Sequence, residues 1–172
     1  QENQNLTHSS LTDSLTQLYN RHFLDTRLKQ EFSKSKRYNH TLCVMMLDID
    51  HFKSINDSYG HPIGDDVLVQ VAQILKDSLR SSDLVARYGG EEFFVMMPNT
   101  HSDTSKNLAE RLRKKIAATQ LVEAHPEIKI TISIGIADFN KDLETADILL
   151  SNADKALYKA KQTGRNRVEV FN

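Results

Sequence analysis

The chain holds a single cysteine, Cys43, among its 172 residues, so no internal disulfide can form. That usage fits a reducing compartment. The apolar neighbours Leu42, Val44 and Met45 mark the thiol as buried, not as a nucleophile. No apolar run reaches the ~18 residues needed to span a bilayer, and no signal-peptide pattern opens the chain. Neither charge sign is in excess: 22 Lys and Arg stand against 23 Asp and Glu, for a net charge of −1. With the signs interspersed, this balance argues against nucleic acid and against membrane contact by this domain. There are no repeats and no low-complexity tracts. P-loop, Ser-His-Asp and Cys/His zinc spacings are all missing, and the seven histidines are scattered.

What is present suits an ordinary globular chain, 39% hydrophobic and 26% charged. Its length fits one domain that buries about two-thirds of its unfolded surface. The polar start, Gln1 to Ser10, has almost nothing to bury. We read residues 1–12 as a linker stump from a longer protein and 13–172 as the folded domain. Whatever switches it on is then expected upstream, in a missing sensory or regulatory domain.

Periodicity lays out the elements. Asn20 is an N-cap for a helix with Leu24, Leu28 and Phe32 at i+4. Leu42 to Leu47 is a continuous apolar run, expected of a strand buried on both faces. Val67, Leu68, Val71, Ile74, Leu75 and Leu79 trace a second helix opened near Pro62. Leu84 to Arg87 and Phe93 to Met97 form a hairpin about Gly89-Gly90, a tight turn with both glycines expected at positive φ. A third helix carries Leu108, Leu112 and Ile116. The alternation from Ile128 to Ile136 predicts a half-buried strand. A fourth helix, Leu149 to Ala160, stops at Gly164, and Val168 to Phe171 is a short last strand.

The order is α+β, a ferredoxin-like β-α-β-β-α-β with an extra N-terminal helix and a C-terminal helix and strand. A right-handed crossover makes the first two strands parallel, with the returning hairpin strand between them. The end of the first strand, Asp48-Ile49-Asp50, then meets the hairpin tip, Glu91-Glu92, at one sheet edge. Carboxylates gathered there call for a cation between them. Hard oxygen ligands favour Mg²⁺, held by one or two carboxylates plus substrate phosphates. Two such ions about 4 Å apart activate an attacking oxygen and stabilise a leaving one. Lys53 can meet a triphosphate, while Asn56 and Asp65 offer an amide and a carboxylate that suit the edge of guanine. The plain alternatives are a strand end running into a turn for Asp48 and Asp50, and a first-turn helix-dipole partner for Asp65 and Asp66.

These residues carry a resemblance. GGEEF at Gly89 to Phe93 resembles the signature of the GGDEF family of diguanylate cyclases, in its glutamate variant. Asp13 to Arg21 resembles the family's opening D-x-L-T-x-L-x-N-R, with Gln17 where many relatives have glycine. DIDHFKSIND, GHPIGD, SIGIA and ALYKAKQTGRN follow in the family's order, so the likeness runs from Asp13 to the C-terminus.

The resemblance implies a nucleotidyl cyclase-like palm that condenses two GTP into cyclic di-GMP and releases two pyrophosphates. It implies metal ligation, by Mg²⁺ or Mn²⁺, at Asp48, the Ile49 carbonyl and Glu91. Glu91 would also assist deprotonation of the attacking hydroxyl, and Lys53 would stabilise phosphate charge. For GTP it implies Asn56 and Asp65 at guanine, His61 near ribose or base, and Lys161 with Arg165 on the β and γ phosphates. Gly89 and Gly90 would leave the backbone open to the phosphates. At a helix C-terminus, Lys161 and Arg165 would also be favourable simply as cations.

One GTP per domain calls for a C₂ homodimer during catalysis. Arg80 and Asp83 match the family's product-inhibition site for cyclic di-GMP, the alternative being an i,i+3 ion pair. The domain is expected in the cytoplasm, whatever the rest of the protein is attached to. The rival readings are a non-catalytic cyclic di-GMP sensor and a cyclase of other base preference.

Overall fold

The computed structural model describes residues 11–172. Residues 1–10 of the expected linker lie outside the described residues. Leu11 and Thr12 join the fold: the Asn20 N–H donates to the Leu11 carbonyl at 2.9 Å, and Thr12 bridges Tyr19.

Ten elements follow: α1 (Arg21–Tyr38), β1 (Leu42–Ile49), α2 (Phe52–Tyr59), α3 (His61–Ser78), β2 (Leu84–Arg87), β3 (Glu92–Pro98), α4 (Ser102–Ala118), β4 (Ile132–Asp138), α5 (Ala146–Gln162) and β5 (Val168–Val170). The five strands order as β2-β3-β1-β4-β5. β3 runs antiparallel to both β1 and β2, so β1 and β2 are parallel with β3 between them, as the crossover argument requires.

Local chemistry explains the boundaries. The Asn20 side chain caps α1 by accepting from the Phe23 N–H at 3.0 Å. β1 ends where His51 turns left-handed, at φ 55°. α2 was not anticipated; its eight residues offer only Phe52, Ile55 and Tyr59 as an apolar stripe. α5 closes on Gly164, whose φ of 126° suits glycine.

Alternation along β1 builds two cores. Cys43, Met45, Leu47 and Ile49 face α3 and α4, meeting Val67, Val71, Leu112 and Ile116. Val44 and Met46 face α1 and α5, meeting Leu24, Leu28, Leu149 and Leu157. Each buried Leu, Phe or Met contributes about 1.5–3 kcal/mol, so β1 is a rigid platform for the acids at its end. Burial pushes the Cys43 thiol well above its ordinary value, which keeps it unreactive.

β4 departs from expectation twice. It starts at Ile132, because its partner β1 ends at Ile49; beyond that pair only one backbone hydrogen bond reaches across, from the Asp50 N–H to the Thr131 carbonyl at 2.9 Å. It is also buried on both faces, not half-buried. α5 lies so close that a Cβ on Gly135 would run into the Leu157 nitrogen and the Ala153 carbonyl.

Candidate active site

The sheet edge formed by the end of β1 and the start of β3 carries the acids. Asp48 sits directly opposite Glu92, and the Ile49 N–H donates to the Glu91 carbonyl at 3.3 Å. Asp48 is 6% exposed. Its Oδ2 accepts from Lys161 Nζ, on the last turn of α5, at 2.7 Å. Burial raises the Asp48 carboxyl to about 6; the Lys161 hydrogen bond and charge oppose this, and the charges of Glu91 and Glu92 add to it. Burial likewise lifts Glu92, with Lys161 opposing and Asp154 and Glu91 reinforcing.

Asp50 has a separate task. Its carboxylate accepts from Thr131 Oγ1 at 2.6 Å, Ser133 Oγ at 2.7 Å and the Asn166 N–H at 3.0 Å. With both oxygens engaged, it clamps the loop after α5 to the end of β1. Arg165 is exposed on that loop beyond the end of α5, between Lys161, bonded to Asp48, and Asn166, bonded to Asp50.

On the other side of the edge lies a cavity of about 360 Å³. Lys53, Asn56, His61, Asp65, Gly90 and Glu91 line it, over an apolar floor of Phe52 and Leu68. Five residues expected to meet GTP or the metal on separate arguments thus share one cavity with His61. Asp65 lies one turn into α3, which begins at His61, so the first-turn dipole account of this residue does not hold.

Asn56 Oδ1 is buried without a hydrogen-bond partner. Such an atom costs free energy until a donor arrives. Gly64 makes room for it, since a Cβ there would run into Asn56 Oδ1. The motif glycine at 64 therefore serves the amide beside it.

The hairpin tip corrects another expectation. Neither Gly89 nor Gly90 has a positive φ. The two differ in surroundings: a Cβ on Gly90 would meet nothing within 4 Å, so its backbone faces open space, whereas one on Gly89 would crowd Glu92 Oε2 at 3.1 Å. Arg87 holds the tip from below. Its Nε donates to the Gly89 carbonyl at 3.2 Å and to the Gly90 carbonyl at 3.1 Å, and Nη2 donates to Gly90 at 2.8 Å. Nη1 reaches the Asp13 carboxylate at 3.2 and 3.3 Å. Burial pushes the Asp13 carboxyl up, but the Thr16 N–H and hydroxyl together with Arg87 outweigh it and hold the group below its ordinary value. Sequence reasoning took Arg87 only as a strand end. Its one legible signal was its position two and three residues before the glycine carbonyls it binds.

A second region surrounds Arg80 and Asp83. The Asp83 carboxylate accepts from the Arg80 backbone N–H at 3.0 Å, so it is this N–H, and not the guanidinium of the alternative ion pair, that engages Asp83. The exposed Arg80 lines a cavity of about 270 Å³ with Asp83, Thr104, Asn107 and Arg111. Arg111 on α4 was not anticipated, because 28 positions separate it in sequence from Asp83 (111 − 83).

The donor set can be tested for a divalent cation. Among the described residues no three or more His, Cys, Asp or Glu side chains gather as a cage. Two carboxylates and a main-chain carbonyl at one edge, with open space beside Gly90, instead fit an ion that keeps waters and takes phosphate oxygens. The residues present therefore fit Mg²⁺ or Mn²⁺ arriving with a nucleotide.

A parallel-crossover palm whose acidic edge borders a nucleotide-sized cavity defines the class of nucleotidyl cyclase-like domains. The family model "Diguanylate cyclase, GGDEF domain" matches residues 10–167, and the chain belongs to that family. It is 44% identical over 171 residues to Diguanylate cyclase A of Treponema denticola, covering 98% of this chain and 46% of that protein. The chain thus spans about half the length of this relative. It superposes with a TM-score of 0.93 and 31% identity on the coiled coil and GGDEF domain of DgcB from Caulobacter crescentus, solved in complex with c-di-GMP, covering 98% and 90% of the two chains. An active GGEEF domain of a diguanylate cyclase from Vibrio cholerae superposes at 0.86 with 34% identity, covering 91% and 99%. Among the described residues no helix is long and apolar enough to cross a membrane.

Proposed function

We propose that this domain condenses two GTP molecules into cyclic di-GMP. In each half-reaction the 3′-hydroxyl of one GTP attacks the α-phosphorus of the other, the bond to pyrophosphate breaks, and a proton leaves the hydroxyl. The second half-reaction closes the ring and releases the second pyrophosphate. The observation that carries this reading is the 360 Å³ cavity in which Lys53, Asn56, Asp65 and Glu91 meet a hairpin tip without side chains.

The Asn56 amide, whose Oδ1 lacks a partner, and the exposed Asp65 carboxylate bind the guanine edge, with His61 beside the ribose or base. Gly89 and Gly90 admit the phosphates to the backbone, and Lys53, Lys161 and Arg165 hold their charge. Asp48, the Ile49 carbonyl and Glu91 hold the Mg²⁺ or Mn²⁺, which when bound supplies charge neutralisation at the phosphates and the attacking oxygen. Glu91 accepts the hydroxyl proton. Positioning and charge complementarity account for most of the rate, as in nucleotidyl transfer generally.

Each domain holds one GTP, so two copies face each other about a two-fold axis, brought together by an upstream sensory or regulatory part of the protein. Product returns to the cavity of Arg80, Asp83 and Arg111, where two guanidinium groups suit its phosphates. A GTP substrate sets the reaction in the cytoplasm.

The test is a forced dimer of this domain incubated with Mg²⁺ and either GTP or ATP. Cyclic di-GMP is expected from GTP alone, and Glu91→Ala is expected to abolish it in a folded domain. Product binding without turnover would establish a sensor, and equal use of ATP would refute the guanine contacts.

A further inference from the structure

The contact between Lys161 and Asp48 has a use beyond holding phosphate. Resting on the proposed metal role of Asp48, we propose that Lys161 is the built-in counter-ion of that carboxylate when no metal is bound. It gives up the place when metal and nucleotide arrive together.

A carboxylate taken out of water with two acidic neighbours is costly unless a cation accompanies it. Asp48 is such a group: its side chain is 8% exposed, and Glu91 and Glu92 add their charges. The 2.7 Å ion pair to Lys161 supplies the cation from within the chain. The Lys161 side chain keeps 30% exposure, and an ammonium on a four-carbon stem swings readily.

Asp50 makes the exchange local. Its three hydrogen bonds hold Thr131, Ser133 and the Asn166 N–H, so the loop after α5 stays fixed without Lys161. Only the ammonium has to move. The direction of movement follows from charge: once a divalent ion shares Asp48, the ammonium is repelled and the incoming polyphosphate attracts it. A metal alone competes with Lys161 and gains nothing in return, whereas a metal bound to nucleotide offers Lys161 a new anion. The device therefore favours joint binding of metal and nucleotide over metal alone.

The experiment titrates Mn²⁺ alone into the domain and follows free Mn²⁺ by electron paramagnetic resonance. Lys161→Met is expected to bind Mn²⁺ roughly fivefold tighter or more than wild type, the range of a coupled equilibrium. Lys161→Gln, which keeps a donor for Asp48 but no charge, is expected to shift in the same direction and covers the case in which the methionine variant fails to fold. Arg165→Gln removes a nearby cation, on the loop just beyond α5, and is expected to leave Mn²⁺ affinity unchanged. Mn²⁺ alone should also raise the melting temperature of Lys161→Gln more than that of wild type. Unchanged affinity in the Lys161 variants, no detectable Mn²⁺ binding to them, or an equal gain in Arg165→Gln would overturn the proposal. Mn²⁺–GTP binding to Asp48→Asn is the separate check on the metal role itself. If that variant loses the complex while the Lys161 variants behave as wild type, the counter-ion proposal alone fails.

Discussion

Replacing Arg87 by methionine keeps most of the stem's bulk and removes the guanidinium that ties Gly89, Gly90 and Asp13 together. Hydrogen bonds from a charged donor are worth about 1.5–3 kcal/mol each when buried. Here the Arg87 and Asp13 side chains are 19% and 21% exposed, which discounts the ion pair. Asp13 also retains Thr16, through its N–H and its hydroxyl, so the substitution leaves no orphaned charge. A net stability loss of about 2 kcal/mol is expected, or a fall in melting temperature of roughly 4–8 °C.

The rate should suffer more than the stability implies. Glu91 follows Gly90 directly, and a displacement of about 1 Å at a reacting group costs on the order of 10²-fold. In a forced dimer assayed for cyclic di-GMP, kcat should fall by about that factor with little change in KM for GTP. Arg87→Lys restores a charge to Asp13 but not a fork that reaches both carbonyls. It should therefore recover part of the stability and little of the rate. A variant that melts lower yet turns over at the wild-type kcat would refute the positioning argument.

Three further outcomes are expected. The Asp48 carboxyl, raised to about 6 in the folded domain from an ordinary 3.8, binds a proton more readily folded than unfolded. In the metal-free domain its contribution to stability should therefore grow as pH falls from 7 towards 4, while Mn²⁺ binding should weaken below about pH 6; melts and titrations across that range measure both. Gly64→Ala forces a Cβ into Asn56 Oδ1 and should cost about 1–3 kcal/mol by denaturant unfolding, and it should weaken GTP more than inorganic tripolyphosphate. Arg111→Ala should raise the product concentration that halves synthesis about as much as Arg80→Ala does, with uninhibited turnover unchanged.

The legible parts of the fold were those with long periods. The Asn20 cap, the apolar β1 and the stop at Gly164 each follow from a residue's own conformational demand. α2 escaped because a stripe of Phe52, Ile55 and Tyr59 is too short to separate from a turn. The start of β4 escaped because Ile128 and Ile130 keep the alternation after the partner strand has ended. Gln17, noted as a departure from a family glycine, is now explained: it holds φ 60°, a conformation glycine adopts without strain.

At the site, residues singled out from the sequence converge in space: Asn56, Asp65, Lys53 and Glu91 share a cavity. Pairings across long separations were not legible. Lys161 finds Asp48 across 113 positions, and Asp50 finds Asn166 across 116. Two acids flanking a single isoleucine thus have separate partners that nothing in their spacing announces.

The brevity of β2 has a consequence of its own. Only Leu84–Arg87 and Tyr88 separate the turn at Asp83 from the glycines of the tip, and the strand itself spans roughly 13 Å at ~3.3 Å per residue. An extended chain zipped to β3 does not stretch, so it acts as a gauge block between the two proposed ligand sites. A molecule at the proposed Arg80 site would sit a strand's length from a guest at Gly90, so any inhibition it exercises is expected to act through the placement of the whole domain.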